Sequence, residues 1–143
     1  ARETLQTVIA SEPNNFEAIL LIGQSYLSID PDLAVKTIED IKLGTEFFDQ
    51  AETIRTLARI FNRVSGSGTL PESPVRDKYF GAIQNARDGN FENAIEGVLE
   101  SIREDRYYDN DTARIACVAI FKLLGEENPI TKKQRSNFSR ALY

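Results

Sequence analysis

Apolar residues recur three and four positions apart from one end of the chain to the other, a spacing that predicts helices throughout. Leu5, Val8 and Ile9 share one face of a first segment, 2–10. Pro13, Asn14 and Asn15 then make a turn in which Asn14 or Asn15 can cap the next helix. Over 16–29 the periodic positions are Ile19, Ile22, Tyr26 and Ile29. Asp30-Pro31-Asp32 breaks that run and caps a helix over about 32–42, carrying Leu33, Ala34, Ile38 and Ile41, with Gly44 as its expected stop. A longer amphipathic segment, 46–64, carries Phe47, Ile54, Leu57, Ile60, Phe61 and Val64. Four more follow at 75–88, 91–104, 111–124 and 130–142. They are separated by Asp88-Gly89-Asn90, by Tyr108-Asp109-Asn110 and by Gly125 to Pro129, with Pro129 where a helix start tolerates it. Period-2 alternation persists nowhere, so the expected fold is all-α.

About eight helices with short connections invite a test for repeats. Setting Pro13 at position 32 of a 34-residue unit puts Ala1, Leu5 and Val8 at positions 20, 24 and 27. The same count carries Ile19 to position 4, Gly23 to position 8 and Tyr26 to position 11 of the next unit. After a slip of one residue Ala34 takes position 20. A second unit has Ala82 at position 8, Gly89 at 15, Phe91 at 17 and Ala94 at 20, and a third has Phe121 at 11 and Gly125 at 15. Small residues thus fall where paired helices approach closely, and large ones where gaps need filling. The register resembles the tetratricopeptide repeat (TPR), which implies antiparallel helix pairs in a short right-handed superhelical array of about eight helices. A nonrepetitive helical bundle is the alternative. The expected organisation is 1–64, a partial repeat plus two units; 65–74, a loop dense in Gly, Ser and Pro; and 75–143, repeat-like helices ending in a capping helix.

The last third of the chain carries a longer string. It runs from Asp88-Gly89-Asn90-Phe91 and Ala94 through Val98-Leu99-Glu100-Ser101-Ile102-Arg103-Glu104-Asp105-Arg106 to Asp111-Thr112-Ala113-Arg114. Phe121-Lys122-Leu123-Leu124-Gly125, Asn128-Pro129, Arg135 and a terminal Arg140-Ala141-Leu142-Tyr143 complete it. This resembles the C-terminal module of the thioredoxin–TPR fusion proteins called chaperedoxins (the YbbN type), closely over 88–143 and more loosely over 1–64. The resemblance implies a noncatalytic, holdase-type interaction module whose partners are unfolded client proteins or folding machinery. The family's thioredoxin domain would precede residue 1, and no Trp-Cys-Gly-Pro-Cys segment or variant of it occurs here. A free-standing TPR adaptor that recognises one specific peptide is the alternative. The residues encoded before Ala1 would separate the two.

Composition narrows the chemistry. Among 143 residues there is no histidine and one cysteine, Cys117, so His-dependent catalysis, an internal disulfide and a CxxC pair are all excluded. Cys117 lies between Ala116 and Val118 and is expected to be a small buried hydrophobe. Gly66 and Gly68 are followed by no Lys-Ser/Thr, so their loop is not a phosphate cradle. The acid pairs Asp109/Asp111 and Glu126/Glu127 lie at turns and are expected to cap helices rather than to bind metal. No enzyme activity and no cofactor or metal are expected. The net charge of −5 argues against a nonspecific nucleic-acid partner. No apolar run approaches a membrane span, and a soluble, reducing, cytoplasmic setting is expected. The chain lacks methionine, so a fragment or processed product with more chain upstream is expected.

Two sets of cations are candidates for partner binding. Arg55, Arg59 and Arg63 recur every four residues along 46–64, a spacing that aligns them on one helix face. The alternative for them is local pairing, for example Glu52 with Arg55. Lys132, Lys133 and Arg135 belong to a terminal helix without acids, which must seal the array and stay soluble outside.

Overall fold

Among the described residues eight helices run α1 (Arg2–Ser11), α2 (Phe16–Tyr26), α3 (Pro31–Thr37), α4 (Phe48–Val64), α5 (Arg76–Arg87), α6 (Phe91–Glu104), α7 (Tyr108–Leu124) and α8 (Pro129–Leu142). The computed structural model describes residues 2–12, 15–65 and 70–143, without the side chains of Leu5 and Ile9. The repeat positions assigned to Ala1, Leu5 and Pro13, the reading of Asn14, and the Gly66/Gly68 loop therefore lie outside what is described. Among the described residues there is no strand, and the fold is an all-α, TPR-like helical array. The chain forms two compact units, 1–59 and 60–143.

In the first unit α1 packs on α2, and α2 on α3. Asn15 caps α2 by accepting from the Ala18 N–H at 3.1 Å, and Asp30 caps α3 by accepting from the Leu33 N–H at 3.1 Å, with Pro31 at the first helical position. Gly23, the small residue of the repeat register, sits where α2 and α3 nearly touch. A Cβ there would lie 2.6 Å from the Ile38 Cγ2 and 3.4 Å from the Ala34 carbonyl oxygen. Both helices stop earlier than the apolar spacing predicts. α2 ends at Tyr26, where the Leu27 N–H tightens onto the Gln24 carbonyl, so Ile29 lies in the turn and is exposed. α3 ends at Thr37 rather than near residue 42, and Gly44 falls in a later turn at φ +94° instead of stopping the helix. Apolar burial continues past the helix end, since Ile38 and Ile41 are fully buried in the turn that follows. Periodicity registered that burial and could not see the bend.

In the second unit α5 pairs with α6, and α6 packs against both α7 and α8. The α5–α6 crossing is as close as that at Gly23. A Cβ on Gly97 would come 2.8 Å from that of Ala82, the position-8 residue of its repeat. Tyr79, Ile95, Leu99, Ile102, Ile120 and Phe121 fill the interior, and Phe121 meets Phe138 of α8 edge to face at 5.7 Å between centroids. Gly125 ends α7 at φ +89°, and Asn128 caps α8 by accepting from the Ile130 N–H at 2.9 Å.

The start of α7 departs from ordinary helix. Asp109, Asn110 and Asp111 have φ of +51°, +59° and +68°, three successive residues in the left-handed region. The Tyr108-Asp109-Asn110 punctuation is thus a left-handed turn built into the head of the helix. The expectation that the acid pairs cap helices fails here. No side chain caps the α7 N-terminus, Asp109 and Asp111 bind arginines, and Glu126 and Glu127 pair with Arg135 and Lys132. In each case a guanidinium or ammonium within reach is a stronger partner for a carboxylate than a backbone N–H.

Candidate partner-binding surfaces

The three α4 arginines do different things. Arg55 Nη2 donates to the carbonyls of Ile38 (3.1 Å) and Ile41 (2.7 Å) in the segment after α3, the first of which also accepts from the Ile41 N–H at 3.0 Å, while its Nη1 pairs with Glu52 at 2.7 Å. Arg63 is committed to Asp109, donating from Nε to Oδ2 at 2.9 Å and from Nη2 to Oδ1. Arg59 is exposed, and among the described residues its side chain makes no ion pair or hydrogen bond.

The Arg63–Asp109 contact anchors a buried polar cluster. The Asp109 side chain is only 1% exposed, so its charge depends on that bidentate partner. Asp111 is held from two sides, by Arg114 Nε at 2.6 Å and by Arg106 Nη1. Burial works against its charge, but the hydrogen bonds from Arg114 and Arg106 outweigh burial and hold its carboxyl below the usual range. The Tyr108 hydroxyl donates to the Pro71 carbonyl at 2.6 Å, tying the segment before α5 to the head of α7. Tyr79 packs edge to face on Tyr108 at 5.5 Å, and its buried hydroxyl makes no hydrogen bond of ordinary geometry among the described residues. Burial, then the Asp109 carboxylate, push that phenol well above its ordinary pKa. Together these contacts hold a left-handed turn in place. The sequence did carry a trace of it, since Asp and Asn are the side chains that tolerate such backbone and arginines stand on either side at 106 and 114.

The α8 cations are each occupied within the chain. Lys132 pairs with Glu127 at 3.0 Å and Lys133 with Glu92, while Arg135 pairs with Glu126 and lies 4.8 Å over the Phe121 ring. Of these, Lys133 also lines an open groove between α6 and α8 with room for about 200 Å³. Leu99 and Gln134, each 2% exposed, line it as well. Gln134 Oε1 accepts from Asn137 Nδ2 at 2.9 Å, and among the described residues the Gln134 amide nitrogen has no acceptor. Glu96, Glu100 and Arg103 form the α6 wall. Among the described residues the Arg103 side chain makes no ion pair or hydrogen bond, Glu96 makes none, and Glu100 reaches only Lys78, at 3.6 Å. The legible signal was Gln134 itself, a polar residue midway between Ile130 and Phe138 on the face that α8 buries.

Cys117 is fully buried on α7, and burial pushes its thiol up to about 12, so the expected hydrophobic role describes it. Among the described residues no cluster of three or more metal-ligating side chains occurs, and no helix is long and apolar enough to cross a membrane.

Residues 73–143 match the family described as Tetratricopeptide repeat. That stretch, α5 to α8 with the segment leading into α5, is a TPR module, of the class that mediates protein–protein interaction and is typically noncatalytic. Neither the curated proteins nor the solved structures give a match to the chain.

Proposed function

We propose that this chain is the partner-holding module of a chaperone-type protein of the thioredoxin–TPR kind, with unfolded clients or folding machinery as its partners and the cytoplasm as its setting. The observation that carries the reading is the pairing of a TPR match over 73–143 with the string that resembles chaperedoxins over 88–143, in one and the same set of helices. The chain's part in such a protein is to hold, not to react. Any thiol–disulfide chemistry would belong to a separate domain, since the one thiol here is buried and stays protonated at neutral pH. Suppression of aggregation tests this directly. The chain is mixed with a chemically denatured, reduced globular protein as that protein is diluted from denaturant, and light scattering is followed. Scattering that falls in proportion to the chain added is the expected result. Scattering equal to that with serum albumin at the same mass would overturn the reading.

A further inference from the structure

We propose that the α6–α8 groove binds an extended peptide segment carrying one basic and one acidic side chain with two residues between them. The inference rests on reading the chain as a protein-interaction module, and it names the chemistry of what that module takes.

Three features of the groove lead there. The first is the Gln134 side chain, which is almost wholly buried, lines the groove, and has an amide nitrogen that donates to no other described residue. That nitrogen is not one of the enclosed polar atoms left without a partner, so it keeps access to the groove, where a peptide carbonyl can accept from it. The second is charge. Among the described residues Glu96 makes no ion pair, its charge only acting across the groove on Lys133, which is itself paired with Glu92, and Glu100 has only a long contact to Lys78, so this end of the α6 wall is acidic. The third is Arg103, a guanidinium on the same wall whose side chain pairs with none of the described residues. Neighbouring cations at Lys78 and Lys133 are tied to acids of their own, which leaves Arg103 as the cation of the groove open to an incoming carboxylate.

Spacing then sets the partner. Seven residues of helix separate Glu96 from Arg103, about 10 Å along the axis at ~1.5 Å per residue. A segment in the polyproline II conformation rises roughly 3.1 Å per residue with about three residues per turn, so two side chains three positions apart share one face and stand about 9 Å apart, enough to reach both ends. A folded helix offers no such run of free carbonyls for Gln134, whereas an extended or unfolded segment does. A uniformly acidic or uniformly basic peptide would place a like charge against one end of the wall.

The test uses the whole chain, isotopically labelled, titrated at low salt with decapeptides of identical Gly/Ser flanks. Their cores are Lys-Ala-Ala-Glu, Glu-Ala-Ala-Lys, Lys-Ala-Ala-Lys, Glu-Ala-Ala-Glu and Gln-Ala-Ala-Gln. The side-chain amide signals of Gln134 and Asn137 report occupancy at millimolar as well as micromolar affinity. At least one of the two mixed-charge cores is expected to bind about fivefold tighter than the neutral and like-charged ones, the size of a half-exposed charge pair. Arg103→Glu, at an exposed position that leaves the helix intact, should transfer the preference to Lys-Ala-Ala-Lys, and Glu96→Lys with Glu100→Lys should transfer it to Glu-Ala-Ala-Glu. Equal binding of all five cores, binding of none, or a preference unmoved by Arg103→Glu would overturn the proposal. The aggregation assay separates the two ideas. Client holding that survives Arg103→Glu while no core discriminates leaves the module reading standing and removes the groove. A charge-matched peptide that binds where no client is held does the reverse.

Discussion

Arg63 grips Asp109 with both arms of its guanidinium, the arginine 44% exposed and the carboxylate side chain 1% exposed. The asymmetry decides what each half is worth. Arg63 gives up little hydration, while Asp109 stripped of its partner would be a nearly buried, uncompensated charge. Replacing Arg63 with Gln should therefore destabilise the chain by about 2–3 kcal/mol, whereas Arg59→Gln should stay within about 0.5 kcal/mol. Asp109→Asn should cost less than Arg63→Gln, and the double variant less than the sum of the two. Urea denaturation of the four proteins checks this. Additive costs would show that the pair is not coupled.

The left-handed run at 109–111 stores strain, on the order of 1–2 kcal/mol for an ordinary L-residue at each position and less for Asn. Asn110 is exposed and its side chain makes no hydrogen bond among the described residues, so it isolates the backbone term. Asn110→Gly should be neutral or stabilising by up to about 0.5 kcal/mol, and Asn110→Val should cost about 1–2 kcal/mol. Thermal melts of the two variants decide it; a Val variant that melts with the parent would mean the turn is not left-handed in solution.

Asp111 gives the same turn a pH dependence. Its carboxyl is held below the usual value of 3.8 by Arg114 and Arg106. A depressed carboxylate binds fewer protons in the folded state, so its contribution is present above the ordinary value and is lost as pH falls through the lowered one. Asp111→Asn should flatten the fall in stability below about pH 4, read as the change in urea midpoint between pH 5 and pH 3.

Three helical glycines separate packing from propensity. Gly81 has open space where a Cβ would go, whereas Gly23 would meet Ile38 at 2.6 Å and Gly97 would meet Ala82 at 2.8 Å. Gly81→Ala should stabilise by about 0.5–1 kcal/mol through helix propensity alone. The same change at Gly23 or Gly97 gains that propensity and loses more to overpacking, about 1–3 kcal/mol. Stabilisation at all three positions, measured by denaturant midpoint, would mean that these helix crossings are looser than described.

Cys117 is fully enclosed, and its thiol is pushed from 9.0 to about 12 by burial. The unfolded chain ionises first as pH rises past 9, which favours unfolding, so this site loses stability between pH 9 and about 12. In native buffer a thiol reagent should label it orders of magnitude more slowly than in denaturant, because only the opened chain exposes it. Cys117→Ser should cost about 1–3 kcal/mol by burying a hydroxyl in an apolar site.

Periodicity was enough to locate eight helices and to place Gly23 and Ala82 at close crossings, because both the 3.6-residue period and the need for small residues at a helix contact are written position by position. Asn15, Asp30 and Pro129 were legible for the same reason: residues at a helix start act on their own next turn. The early ends of α2 and α3 were not legible, since Ile38 and Ile41 stay apolar whether the chain that carries them is helix or turn. Nor could spacing along one helix reveal that Arg55 answers the carbonyls of Ile38 and Ile41, or that Arg63 answers Asp109, 46 residues away. The four-residue spacing put the three arginines in line, but a charge is spent on whatever the fold brings within about 3 Å of it. The groove was hidden in the same way. Glu96, Glu100 and Arg103 look like any solvated helix face until α8 is laid beside them with Gln134 turned inward, and that placement is a product of tertiary packing alone.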